Sequence, residues 1–165
     1  MRSDNSKGRT WIVVTAKWAL VLMVLVFMWS LRAGSRVSGT PFADVSRAVT
    51  AQVDLSVMQK GDNQMIKRLY GLDPSEYENC LLYYPTTNMG SEELLLICLK
   101  DTSQQETVRA AMEGRMADQM DSFDGYAIPQ YEMCESAVIE IRGNYALLIS
   151  AEDPSEALKA FLDAL

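Results

Sequence analysis

The sequence predicts an α+β protein: an N-terminal transmembrane helix followed by an antiparallel sheet of about four strands, packed with helices on one face. Three observations carry this expectation. Trp11 to Leu31 is an apolar run of twenty-one residues with one charge, Lys17. Beyond it, after two short helices, the chain alternates as strand, strand, helix, strand, strand, helix, the order of an antiparallel sheet with helices laid against it. Both strand pairs are joined by turn chemistry, Pro85 to Gly90 in the first and Gly143-Asn144 in the second.

The apolar run comes first. A helix of this length rises about 31 Å, which matches the hydrocarbon core of a bilayer. Lys17 lies near its N-terminal end, where the amine can snorkel to the headgroups, and Trp11, Trp18 and Trp29 suit the interfacial belts. A second reading makes Ala19 to Leu31 the core of a signal peptide, with Ala33 and Ser35 as the small residues of a cleavage site. The length of the run favours the uncleaved anchor. No cysteine follows it, which excludes a bacterial lipoprotein anchor. Arg2, Lys7 and Arg9 before the run outnumber Arg32 and Arg36 after it, so the N-terminus is expected inside. The expected organisation is a cytoplasmic tail over 1–10, a transmembrane anchor over 11–31, a linker over 32–40 and an extracytoplasmic α+β domain over 41–165. The protein is thus placed at the cell membrane as a single-pass, N-inside protein.

Charge then narrows the partners. Up to Thr40 there are six Lys/Arg and one acid; from Pro41 onward there are nine Lys/Arg against twenty-one Asp/Glu, a net −12. Such a domain repels phosphate backbones, so no nucleic acid is expected as a partner. The chain has no histidine, which excludes His-based triads and His-ligated metals. It also has no Walker, dinucleotide or G-x-S-x-G pattern, so no cofactor and no metal are expected. Cys80, Cys98 and Cys134 show no metal spacing. Cys80 and Cys98 fall in two facing strands, so either a disulfide or two buried apolar thiols fit.

The domain reads element by element. Thr40-Pro41 opens a helix whose Val45, Val49 and Val53 form one stripe. Gln64 to Tyr70 is a second helix closed by Gly71, and Asp73-Pro74-Ser75-Glu76 is a turn. Cys80 to Tyr84 and Leu94 to Leu99 are strands, the second apolar enough to be central in the sheet. Asp101 to Phe123 is the longest helix, capped at Asp101 or Thr102 and broken over Gly125 to Pro129. Ala137 to Ile141 and Tyr145 to Ile149 form a tight hairpin, and a final helix follows the capping box at Asp153 to Glu156.

On the long helix, Val108, Met112, Met116 and Phe123 share one sector, and Arg115 and Gln119 fall inside it. An arginine on an apolar face needs a partner, because an unpaired buried charge costs several kcal/mol. Glu92 and Glu93, at the start of the central strand, are nearest by topology. An Arg–Glu pair locking helix to sheet is the simplest account. The functional alternative has Arg115, Gln119 and Tyr126 lining a pocket at the helix end, with Arg115 holding a carboxylate or another anion. Asp118, Asp121 and Asp124 spread over an outer face without the convergent turn that calcium requires.

These residues also carry a resemblance. Arg115-x3-Gln119-x3-Phe123-x2-Tyr126-x2-Pro129, the later Gly143-x-Tyr145, the stretch Tyr70-Gly71-Leu72 and the Glu92-Glu93-led strand resemble a domain-of-unknown-function family. Its members are small membrane-anchored or lipoprotein-type extracytoplasmic proteins of Gram-positive, mostly anaerobic bacteria, and the similarity covers about residues 41 to 163. The resemblance implies no activity; the family's genes often lie near those of membrane-bound O-acyltransferases of envelope polysaccharides, which implies an accessory role in the cell envelope.

The expected role is a non-enzymatic envelope accessory or binding module with a protein or glycan partner. The rival is a small envelope hydrolase or transferase with an acid-based site near Glu92, Glu93 and Arg115. A third reading, sensing through the membrane segment, needs a membrane partner, because a tail of ten residues is too short to hold an output domain.

Overall fold

The computed structural model describes residues 37–165, together with Lys17, Trp18 and Met23. The expected tail (1–10), the anchor (11–31) apart from those three residues, and the linker up to residue 36 lie outside the described residues. Among the described residues no helix is long and apolar enough to cross a membrane. Val37–Leu165 forms one compact unit.

In chain order the unit comprises α1 (Phe42–Thr50), β1 (Met58–Lys60), α2 (Asn63–Tyr70), β2 (Asn79–Pro85), β3 (Glu93–Cys98), α3 (Gln105–Phe123), α4 (Ile128–Glu135), β4 (Val138–Arg142), β5 (Tyr145–Ser150) and α5 (Ser155–Ala164). The strands form one antiparallel sheet in the order β1-β2-β3-β5-β4. Every residue of β3 and β5 is buried, as expected of the two innermost strands.

Side chains alternate across a strand, so each inner strand feeds two cores. Leu95, Ile97, Ala146 and Leu148 pack on one face with Ile66 and Tyr70 of α2 and Val108, Met112 and Met116 of α3. Leu94, Leu96, Tyr145, Leu147 and Ile149 pack on the other with Val45 and Val49 of α1 and Ala157 and Phe161 of α5. This corrects the expectation of helices on one face. An inner strand without polar alternation is buried on both sides, and the terminal helices supply the second layer.

Two further elements depart from expectation. The sheet has a fifth strand, β1, whose Gln59 pairs with Tyr84 at the sheet edge; Met-Gln-Lys carries no strand signal of its own. The helix α4 occupies a stretch with no predicted element, and Pro129 sits in its first turn as a helix starter.

Gly71 and the Asp101 cap match the sequence reading, whereas the first helix is preceded by Pro41 without a side-chain cap, the last follows Pro154 without a capping box, and the cap at Asp62 was not expected. Asp62 accepts from Met65 N (2.8 Å) at the start of α2, and Gly71 closes that helix at φ 67°. Asp101 and Gln104 form a capping box ahead of α3. Asp54, Asp73, Asp101 and Asp153 each accept from the serine two residues on, and those hydrogen bonds hold their carboxyls below the ordinary 3.8.

Candidate functional site

Glu93 opens β3 on the same face as Leu95 and Ile97, so its carboxylate points beneath α3. Arg115 and Gln119 sit one helical turn apart on the buried side of α3 and meet it there. Arg115 donates through Nη2 to Glu93 Oε2 (2.7 Å) and through Nε to both carboxylate oxygens (3.1 and 3.2 Å). Gln119 Nε2 donates to Oε2 (2.8 Å), and the Tyr70 hydroxyl of α2 donates to Oε1. Cys134 of α4 donates to Gln119 Oε1 (3.2 Å), which fixes the amide's orientation.

The Glu93 side chain is wholly buried and that of Arg115 is 17% exposed. Removing two charges from water costs several kcal/mol per ion, and only good geometry with satisfied lone pairs offsets it. Both conditions hold. The arginine fork is two-pronged, and donors from α2 and α3 occupy the carboxylate on all sides. Among the described residues no buried side-chain nitrogen or oxygen lacks a partner. Burial works to lower the Arg115 pKa, but the hydrogen bonds and charge of Glu93 outweigh it, so the guanidinium sits above its ordinary value. Burial first, then the Glu93 charge, pushes the Tyr70 hydroxyl well above 10.0. The cluster is an ion pair with a neutral phenol, held by two helices and a strand.

Above the clamp lies a cleft of about 310 Å³ between α2, the end of α3 and the β2–β3 loop. Arg115 and Gln119 form part of its floor; Arg68, Gln59, Tyr84 and Asn88 are among its walls. No Asp or Glu lines it. The loop wall is pinned to β1 and to the residue before it: Thr86 N donates to Val57 O (3.1 Å) and Gln59 Nε2 donates to Pro85 O (3.1 Å). A Cβ on Gly90 would stand 2.7 Å from Pro85 Cβ, so this turn closes only with glycine.

The structure therefore brings together Arg115, Gln119 and Glu93. Glu92 stands apart: it forms no ion pair among the described residues and its Oε2 accepts from Ser91 N (3.1 Å). Tyr126 does not line the cleft. It is 64% exposed and rests against Phe123, ring centroids 6.3 Å apart, and Phe123 does line it. The network also contains Tyr70 and Cys134, and the cleft contains Arg68, none of them expected from sequence as site residues. Tyr70 had a signal, since it follows Ile66 by four residues on the buried stripe of α2 and a buried phenol needs a partner. Cys134 and Arg68 had none.

The cysteines resolve in favour of free thiols, Cys98 and Cys134 buried and Cys80 half-buried. Cys80 pairs with Ile97, and Cys98 pairs with Asn79, one register step away. Cys80 therefore packs on the α3 face and Cys98 on the α5 face, and all three cysteines are free. Burial pushes Cys80 and Cys134 up from 9.0 to about 11. With folded values above the unfolded ones, these thiols stabilise the fold fully below pH 9 and lose that contribution as pH climbs toward 11; Tyr70 adds the same sign above pH 10. The guanidinium midpoint is expected to stay level from pH 7 to 9 and to fall above it, and iodoacetamide at pH 8 is expected to label Cys98 and Cys134 only after denaturation.

An antiparallel sheet between two helix layers, with one acid clamped beneath a polar cleft, defines a small α+β domain. The chain belongs to the family of the domain of unknown function DUF4358, which matches residues 51–151. No curated protein and no solved structure matches it.

Proposed function

We propose that this is a single-pass membrane protein whose acidic C-terminal domain stands outside the cytoplasm as a non-enzymatic binding module of the cell envelope, with the cleft over Glu93 and Arg115 as its binding site. The observation that carries the reading is the division of labour at this site. Glu93 is buried and its lone pairs are taken, so it serves the fold, whereas the cleft above it presents arginine, amide and hydroxyl groups with no acid among them. The rival, an acid-based hydrolase or transferase near Glu92, Glu93 and Arg115, has less support. A general acid must reach the bond it protonates, and Glu93 has no route to one. The membrane placement is supported by the apolar run Trp11 to Leu31 and by the change from net +5 before Pro41 to −12 after it.

One experiment tests topology and site together in intact cells. Cys98 and Cys134 are buried and Cys80 is half-buried, so Ser6→Cys and Thr107→Cys are placed in a Cys80→Ser chain to report without background. An impermeant maleimide is expected to label Thr107→Cys and to leave Ser6→Cys unlabelled until the cells are opened. A photocrosslinker at Asn88 is expected to capture an envelope component, and one at Arg47 on the opposite helix layer is not. Protection of Thr107→Cys in intact cells overturns the topology. Equal capture from both positions overturns the site.

A further inference from the structure

The geometry points to a ligand class for the cleft: a hydroxyl-rich glycan segment carrying an isolated carboxylate, gripped by the Arg68 guanidinium. The inference rests on the binding-module reading. Two arginines line the cleft, and they differ. Arg115 is spent on Glu93. Arg68 is exposed in the last turn of α2 and has no carboxylate within ion-pair distance among the described residues, although acids outnumber bases by twenty-one to nine after Pro41. An unneutralised guanidinium at the wall of an acid-free concavity is a planar two-pronged donor for a carboxylate.

The remaining lining fixes the rest of the ligand. Asn88 and Thr87 lie in the loop wall and make no side-chain hydrogen bond among the described residues, so both are available to hydroxyls. Tyr84, half-buried, offers ring surface to the apolar face of a sugar. A volume of about 310 Å³ is at the small end of ligand pockets, room for one or two rings. The net −12 of the surrounding domain opposes a dense polyanion, which leaves a sparsely charged chain.

Within the unit, the cleft and the point where the chain enters lie at opposite ends. The chain enters the domain at the β4–β5 turn, where Ser38 N donates to Asn144 Oδ1 (2.8 Å) and Tyr145 OH donates to Thr40 O (2.8 Å). That turn lies beside Cys98, at the end of β3, whereas the cleft lies beside Glu93, at its start. Six extended residues, about 20 Å, separate the two poles. The cleft opens at the end of the unit opposite Ser38.

The test is a titration of the full chain in detergent, followed by NMR of the side-chain amides of Gln59, Asn88 and Gln119. The probe is a disaccharide of one hexuronic acid and one neutral hexose. Parallel arms use its carboxyl-reduced neutral form, a glutamate-containing tripeptide and phosphatidylglycerol vesicles. The acidic disaccharide is expected to shift the cleft amides. The reduced form is expected to bind about tenfold or more weakly, as loss of a charge-assisted pair implies. Arg68→Gln is expected to lose the same factor, Arg68→Lys to recover part of it, and Arg47→Gln to change nothing. Equal binding of the neutral sugar, or a response only to the peptide or only to vesicles, overturns the inference. If no probe binds while the Asn88 crosslink still forms in cells, the ligand class is wrong and the binding-module reading stands. If neither occurs, both fall.

Discussion

Arg115→Ala is expected to destabilise the domain by about 3–5 kcal/mol, a large fraction of the roughly 5–15 kcal/mol that holds a domain of this size. The loss does not come from a missing attraction alone. Glu93 is wholly buried, and truncating its partner leaves a carboxylate in the core with only Tyr70 and Gln119 as donors. Glu93→Ala is expected to cost less, because the remaining Arg115 side chain is partly exposed and can turn toward water. A combined Glu93→Leu, Arg115→Met, Tyr70→Phe protein, which removes charge and phenol together, is expected to recover most of the stability. Urea unfolding of the four proteins checks the series. If Arg115→Ala keeps the parental midpoint, the clamp does not hold the fold. Native-like stability with loss of ligand would instead make Arg115 a direct ligand contact.

This clamp shows how far the sequence could be read. Arg115 and Gln119 stand out because charge and amide interrupt an apolar helical stripe, and the rule that buried charge needs a partner leads to a nearby acid. Choosing Glu93 over Glu92 required the strand register, since adjacent residues face opposite sides of a sheet. The same parity decided the cysteines: two strands that face each other leave open whether two residues share a face, and Cys80 and Cys98 do not. Elements with their own chemistry, such as α2 with its closing Gly71 or the Gly143 hairpin, were legible. β1 and the Arg68 wall were not. Three residues at a sheet edge owe their conformation to the neighbouring strand, and an exposed arginine acquires meaning only from what surrounds it in space.

The second large effect concerns the helix layer that the sequence reading missed. The family match covers residues 51–151, whereas α1 ends at Thr50 and α5 begins at Ser155. A chain trimmed to the matched span therefore keeps all five strands and the clamp, yet loses both helices that cover one face of the sheet. Leu94, Leu96, Leu147 and Ile149, all wholly buried, would meet water. At about 1.5–3 kcal/mol for each such side chain, the loss is roughly 6–12 kcal/mol, comparable to the entire stability of a domain. The bared strip is also the middle of a sheet of β-branched and leucine side chains, the kind of surface that drives association. The 51–151 chain is expected to lack a cooperative thermal transition and to aggregate, whereas 37–165 gives a single one. Phe161→Ala in the longer chain is a milder version, expected to cost about 3–5 kcal/mol through the cavity left against that face. A cooperative melt of the 51–151 chain would show that α1 and α5 are dispensable and that the two-layer account of this domain is wrong.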